Sequence, residues 1–317
     1  MPRIVLLLLV SFASAVFSFG EPNLPLPGKT QIILDHIYSG RSDLAIPEAR
    51  QWQQQSPDHP LGFILEAEAL WWNIWTSSAE YKYGMTMPRH REKVATDQNY
   101  LEAAAKALAS AEARLKNRES AEMYFYAGMA QALEARLYGL RAENRATARV
   151  GVRARENFTK ALALDPELAD ADMGLGLYDY YVDTLSTLAR MLRFFMGIPG
   201  GTKEDGVRLL QRAIHEGQLT PPIARFYLSM NLHNYDQKYE EALQVLTPLV
   251  KQYPNNPIFL LSQGDLYAKL GRKPQALEAY REANAAAANC DPGWRKKIEF
   301  WAGQSIGAVS GGLAGKP

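Results

Sequence analysis

Five histidines are the side chains best suited to acid–base catalysis or metal binding in this chain of 317 residues. No two of them have the His-Glu-x-x-His spacing that holds a zinc ion on one helix, so a zinc protease is not predicted. One lies in the charged run 89–93, which is typical of a solvated loop or the start of a helix. The five are His36, His59, His90, His215 and His233.

Other residue patterns give equally weak evidence for a catalytic or ligand-binding site. The segment 200–203 lacks the Gly-Lys-Ser/Thr ending of a phosphate-binding loop, and no strand is predicted before it. Asp165, Asp170 and Asp172 surround a proline, where acids at the start of a helix complement its dipole. We therefore predict no catalytic residue, no metal site and no cofactor. Two groove carboxylates of a helical carbohydrate-active hydrolase stay open as an alternative.

Composition and charge narrow the class of protein. Hydrophobic residues make up 47% and charged residues 22% of the chain, as in folded proteins. Lys and Arg number 35 against 34 Asp and Glu. This near-neutral balance argues against a nucleic-acid partner, which needs a basic field. The single cysteine, Cys290, excludes an internal disulfide and a thiolate zinc cluster.

The first residues have the pattern of an export signal. Arg3 precedes the apolar run 4–10, and the small residues Ala15 and Gly20 offer two cleavage sites. We expect residues 1–20 to be a signal peptide that is cleaved, with the protein periplasmic or otherwise associated with the cell envelope. An uncleaved anchor is the alternative, although the apolar run is short for a membrane span.

The rest of the chain is repetitive. A first short helix fits around Gly264, and Ala276, Tyr280 and Ala283 fall on one face of a second. The same second-helix face begins at Ala242, which is 276 − 242 = 34 residues earlier. It recurs, with the same offsets, from Ala45, Ala154 and Gly206.

This period and these residue types resemble the tetratricopeptide repeat (TPR) family. The resemblance implies helix–turn–helix units with a small residue in each helix, stacked into a right-handed solenoid with a concave groove. The register predicts an all-α fold of about six helix pairs over 21–290, a capping helix over 291–306 and a flexible Gly-rich tail over 307–317. The expected units are 23–59, 60–118, 119–168, 169–220, 221–256 and 257–290.

The fourth unit carries an insertion over about 184–200. Its apolar residues recur at helical spacing, and a glycine and a proline end the pattern. It is either an extra helix packed on the solenoid or a helix that contacts a partner or a membrane surface, with its arginines at headgroup level. The candidates for such contact are Leu185, Leu188, Arg190, Leu192, Arg193 and Phe195.

A second, local likeness begins in the apolar helix of the insertion and runs to Val207. Gly197-Ile198-Pro199-Gly200 followed by Lys203-Glu204-x-Gly206 looks like a segment of a eukaryotic TPR family linked to the mitochondrial outer membrane and inclusion clearance. The chain departs from that pattern at Gly201 and Thr202. The likeness suggests that the insertion is a folded family feature and implies nothing further.

Function then depends on the surface that the repeats make. The TPR resemblance implies that first-helix side chains line the groove, where aromatic rings and amides suit an extended peptide. Packing of these rings inside the superhelix is the alternative. We predict a non-catalytic scaffold for protein or peptide, of unknown oligomeric state; a peripheral membrane adaptor is a further alternative. The groove candidates are Phe125, Met129, Met173, Leu177, Tyr180, Tyr181, Tyr227, Asn231, Asn234, Tyr235, Asp265 and Lys269.

Overall fold

A computed structural model describes residues 24, 26–82, 84–186 and 199–311. Within them the chain forms thirteen helices and one two-stranded antiparallel hairpin, β1 (Ala79–Tyr81) and β2 (Thr86–Pro88). The helices are α1 (Lys29–Tyr38), α2 (Ser42–Gln55), α3 (Pro60–Ser78), α4 (Thr96–Leu115), α5 (Ala121–Leu140), α6 (Asn144–Leu164), α7 (Asp170–Asp183), α8 (Lys203–Glu216), α9 (Pro221–Asn234), α10 (Tyr239–Gln252), α11 (Pro257–Lys269), α12 (Lys273–Ala286) and α13 (Arg295–Ser310).

The helices pack as six successive pairs followed by a capping helix, which confirms the predicted fold class. Local chemistry sets the boundaries: the Asn256 side chain accepts from the first amides of α11, and Pro257 needs no amide partner there. Gly271 turns the chain into α12 with a φ of 71°, a conformation that glycine adopts without steric cost.

Small residues allow the paired helices to approach closely, as the repeat pattern requires. A Cβ on Gly264 would lie 2.4 Å from the Tyr280 ring, and one on Gly206 would lie 2.7 Å from the Gly176 carbonyl oxygen. In the fourth unit, Gly176 and Gly206 thus bring the backbones of α7 and α8 together across the insertion. The repeat pattern predicts a small residue at Gly206 in the second helix of this unit, and the structure shows that a larger residue would collide with α7.

The capping helix is longer than the sequence predicts. Trp294, Ile298 and Trp301 are buried at this end of the array, as expected of a cap. The helix continues to Ser310, into the segment expected to be a flexible tail. The reason is Val309, which is buried and holds the last turn against the core.

The first and last units touch, so the array closes on itself. The Asn256 amide donates to the Tyr38 carbonyl at 2.9 Å, and the Trp294 indole donates to the Asn73 Oδ1 at 2.8 Å. The amide of Asp291 donates to the Gly40 carbonyl at 2.7 Å. These bonds join α1 and α3 to the units around α11 and α13, at the opposite end of the chain.

Helix α3 occupies the middle of the closed array. Sixteen of its nineteen residues are buried. The centroid of the Trp72 ring lies 5.2 Å from that of Phe226, 5.7 Å from that of Phe259 and 6.4 Å from that of Tyr38. All three pairs pack edge to face. Much of the inner face that the sequence predicts to be an open groove is therefore filled by aromatic side chains of the chain itself.

The β1–β2 hairpin also links the early part of the chain to the last helix pair. The Thr86 amide and the Tyr280 hydroxyl both donate to the buried Asp265 carboxylate, at 2.7 and 2.8 Å. Asp265 is one of the predicted groove residues, but the structure buries it and directs both of its oxygens to the chain's own hairpin and α12. Burial raises the pKa of Asp265 to about 7, against the opposing effects of these donors and of Lys269.

We expect the stability of the closure to fall as pH rises from about 4 to 8. Native Asp265 holds its proton up to its raised pKa of about 7, whereas the unfolded chain loses it near its ordinary value of 3.8. The difference in unfolding free energy between wild type and Asp265→Asn should change by about 4 kcal/mol across this range. Urea titrations at several pH values measure it, and a constant difference would contradict the assignment.

Three predicted segments lie outside the described residues wholly or in part. The whole of the predicted signal peptide 1–20 lies outside them, and so does most of the 307–317 tail. Of the insertion, the structure does not describe Leu188, Arg190, Leu192, Arg193 and Phe195. Leu185, at the described edge of the insertion, is exposed. Among the helices that the structure describes, none combines the length and the apolar character needed to cross a bilayer.

Candidate functional site on the inner face

The structure divides the twelve groove candidates into buried and accessible residues. The buried ones have little surface to offer a partner, because their side chains pack inside the protein. For Tyr180, the hydroxyl donates to the Asn231 carbonyl and to Asp236. The buried candidates are Phe125, Met129, Met173, Tyr180, Asn231 and Asp265, and the accessible ones are Leu177, Tyr181, Tyr227, Asn234, Tyr235 and Lys269.

Two of the accessible candidates form an exposed aromatic surface, which we name the tyrosine rim. Tyr181 is 36% exposed and Tyr235 is 52% exposed, and their ring centroids are 6.1 Å apart. Each ring also contacts buried Tyr180 at 6.1 Å. The anchored Tyr180 therefore fixes both exposed rings, so that they offer apolar area at low entropy cost.

The rim continues inward along one face of α9. Tyr227, Asn231 and Asn234 are spaced four and three residues apart, which places them on one side of a helix. Tyr181 interacts with Asn231 and Tyr227 of this face. The Tyr227 hydroxyl also interacts with Arg136 and Trp71, whereas the Asn234 Oδ1 is a buried atom without a hydrogen-bond partner in the described part of the chain. Such an atom can pair with the backbone of a bound chain.

At its inner end this face meets a charged group that sequence reasoning did not find. The Arg136 guanidinium donates to the Glu68 carboxylate at 2.8 Å and to the Tyr100 hydroxyl at 3.1 Å. It also lies over the Trp71 ring, 4.2 Å from the centroid. Together with Tyr227 these residues form the inner cluster. Burial raises the pKa of Tyr227, while the nearby Arg136 lowers it.

Buried carboxylates elsewhere each have a structural partner. Glu66 accepts from Arg50 and Gln53, Asp97 accepts twice from Arg141, and Asp172 pairs with Arg212. A hydrolase would need two carboxyl groups facing each other across a substrate. This arrangement gives that alternative no support. Among the described side chains, no group of three or more His, Cys, Asp or Glu is placed to hold a metal ion.

One further sequence pattern has a catalytic meaning in other proteins. Gly303-x-Ser305-x-Gly307 matches the letters of a serine-nucleophile elbow. An elbow requires a sharp turn between a strand and a helix, whereas these residues lie inside α13 and Ser305 is buried. The match therefore predicts no nucleophile.

The paired helices define the chain as an α-helical repeat protein. Residues 231–289 match the family model described as tetratricopeptide repeat, and they span most of the last two helix pairs. This stretch therefore carries tetratricopeptide repeats, and repeats of this kind build scaffolds for protein interaction. No curated protein matches the chain.

Two solved structures show low similarity over most of the chain. One is the C-terminal part of a TPR repeat-containing protein from Cytophaga hutchinsonii, at 12% identity and a TM-score of 0.37, covering 89% of this chain and 95% of that one. The other is yeast Tom70, at 11% identity and a TM-score of 0.36, covering 89% of this chain and 77% of that one.

Proposed function

We propose that this protein is a non-catalytic scaffold that binds an extended segment of a partner protein at the tyrosine rim. The observation that carries the proposal is the rim itself, where two exposed rings border the Asn231 and Asn234 amides. Exposed aromatic side chains held by a rigid neighbour are the usual anchors of protein interfaces. The bound segment crosses the rim and follows the α9 face, because aromatic side chains of α3 and its neighbours fill much of the interior.

Selection of peptides tests the proposal. A phage-displayed library of random heptapeptides is selected on the full chain, and one selected peptide is titrated against variants. We expect the Tyr181→Ala/Tyr235→Ala double variant to bind at least tenfold more weakly, since central aromatic anchors contribute about 2 kcal/mol or more. Tyr180 is left intact because its hydroxyl bonds join α7 to the end of α9.

The control removes an exposed ring elsewhere. Phe300 is 61% exposed on α13, and Phe300→Ala should leave the affinity unchanged. Unfolding midpoints of both variants verify that the fold is intact. Equal binding by wild type and the double variant would place the peptide site somewhere else.

We further propose that the scaffold works outside the cytoplasm after removal of residues 1–20. The charged start, apolar run and small residues at the N-terminus support this location. N-terminal sequencing of the protein from the envelope fraction of its own cells tests it. Recovery of the full-length chain in the cytoplasm would contradict it. Membrane contact through the insertion stays a prediction.

A further inference from the structure

Helix α6 carries a line of exposed arginines that the proposed function does not use. Arg145, Arg149 and Arg153 follow one another at intervals of four residues, and all three side chains are exposed. Because an α-helix has about 3.6 residues per turn, each arginine is rotated by only about 40° from the one before it. The three therefore lie on one side of the helix, and we name them the arginine stripe.

The opposite side of α6 packs in the core. Its buried residues are Val150, Ala154, Phe158 and Ala161. A helix that lies on a membrane surface buries its apolar face in the lipid, whereas here that face is already covered by the protein. The arginine stripe is thus presented outwards, while the apolar face of the same helix is not free to enter a bilayer.

The fold leaves the charge of the stripe without a matching set of acids. In the part of the chain that the structure describes, none of the three arginines forms a salt bridge. Arg153 acts on half-buried Glu134, because it opposes the rise in the pKa of that carboxyl that burial causes. Along α6 there are five basic residues and one acid, Glu156, although the whole chain has 35 Lys and Arg against 34 Asp and Glu. Positive charge is therefore concentrated on this helix.

The spacing of the stripe matches an extended acidic segment. Successive arginines are about 6 Å apart along the helix axis. In an extended chain, side chains on one face recur every two residues, about 6.6 Å apart. Carboxylates at alternate positions can therefore each meet one guanidinium, which binds a carboxylate through two parallel hydrogen bonds. We propose that the arginine stripe binds an extended segment of a partner protein with Asp or Glu at alternate positions.

This surface is separate from the tyrosine rim. None of its residues belongs to the rim or to the α9 face, so the inference does not rest on the proposed function. It gives the scaffold a second surface, on which an acidic segment is held by charge. A nucleic acid would need a wider basic field than this nearly neutral chain provides.

Binding of defined acidic peptides tests the proposal. A labelled peptide of repeated Glu-Thr places its carboxylates on one side of an extended chain. It is titrated against the full chain at low ionic strength, where exposed ion pairs are least screened. We expect the variant Arg145→Gln/Arg149→Gln/Arg153→Gln to bind it about tenfold more weakly or worse, since each exposed ion pair contributes a factor of about two to five.

Two controls separate the stripe from net charge. The variant Arg295→Gln/Lys296→Gln/Lys297→Gln removes as much charge from exposed residues of α13 and should bind the Glu-Thr peptide like wild type. A peptide of repeated Glu-Glu-Thr-Thr has the same composition but turns half of its carboxylates to each side, so wild type should bind it about threefold more weakly. Unfolding midpoints verify that both variants are folded.

The proposal fails if the two triple variants bind the Glu-Thr peptide equally, or if wild type binds both peptides equally. It also fails if a single-stranded oligonucleotide or vesicles of anionic phospholipid bind wild type more tightly than the Glu-Thr peptide and lose this binding in the stripe variant. Tyr181→Ala/Tyr235→Ala should bind the Glu-Thr peptide like wild type. Loss of the peptide in that variant would place the acidic contact at the rim.

Discussion

Trp72→Ala is expected to lower the free energy of unfolding by about 3–5 kcal/mol, the usual range for removing a buried large aromatic side chain. The ring is fully buried and contacts Tyr38, Phe226 and Phe259, which belong to the first, fifth and sixth helix pairs. Its loss leaves a cavity where the two ends of the array meet. Urea denaturation measures the change in stability.

The helices in which hydrogen exchange speeds up show whether Trp72 joins the two ends of the array or only packs against its neighbours in sequence. Hydrogen exchange in Trp72→Ala should speed up both in α1 and in α9 and α11. Trp52→Ala is the matched control, because Trp52 is buried in α2 and its ring contact is with His59, close in the chain. It should speed up exchange near α2 alone. If Trp72→Ala left exchange in α9 and α11 unchanged, α3 would not hold the ends together.

Repeat spacing predicted the fold because each unit makes its main contacts with its sequence neighbours. Gly264 and Tyr280, for example, meet within one helix pair, so their spacing in the chain reports their contact directly. Closure of the array has no such local signal. It depends on small rotations summed over six units, and on the contact of Tyr38 with Tyr253, residues far apart in sequence.

The candidate site was predictable only in part. Trp71, Trp72 and Trp75 make α3 apolar on every side, and a helix of that kind is normally buried, so its central position had a readable signal. Glu68 within this apolar helix signals a buried partner. The identity of that partner, Arg136, is set by the packing of α5 on α3, which spacing does not reveal.

Asp170→Ala is expected to destabilise the protein by about 3–5 kcal/mol, comparable to breaking a buried ionic contact. The carboxylate of this buried residue accepts the backbone amides of Gln218, Leu219 and Thr220 at 2.8–3.1 Å, and the Thr220 hydroxyl at 2.8 Å. It thus ties the start of α7 to the start of α9, where its charge also favours the positive end of the helix dipole.

The first turn of α9 sets the orientation of the helix that carries Tyr227 and Asn231. The loss of the Asp170 contacts should therefore also disturb the candidate site. Asp170→Asn keeps one carbonyl oxygen but places an NH₂ against amide donors, and should cost about 1–3 kcal/mol. Asp165→Asn is the control, because among the described residues Asp165 accepts only the Glu167 amide, within its own turn, and the stability of this variant should be near wild type. Urea denaturation ranks the three variants. Equal stability of Asp170→Asn and Asp165→Asn would show that the shared carboxylate contributes little to the junction of α7 and α9.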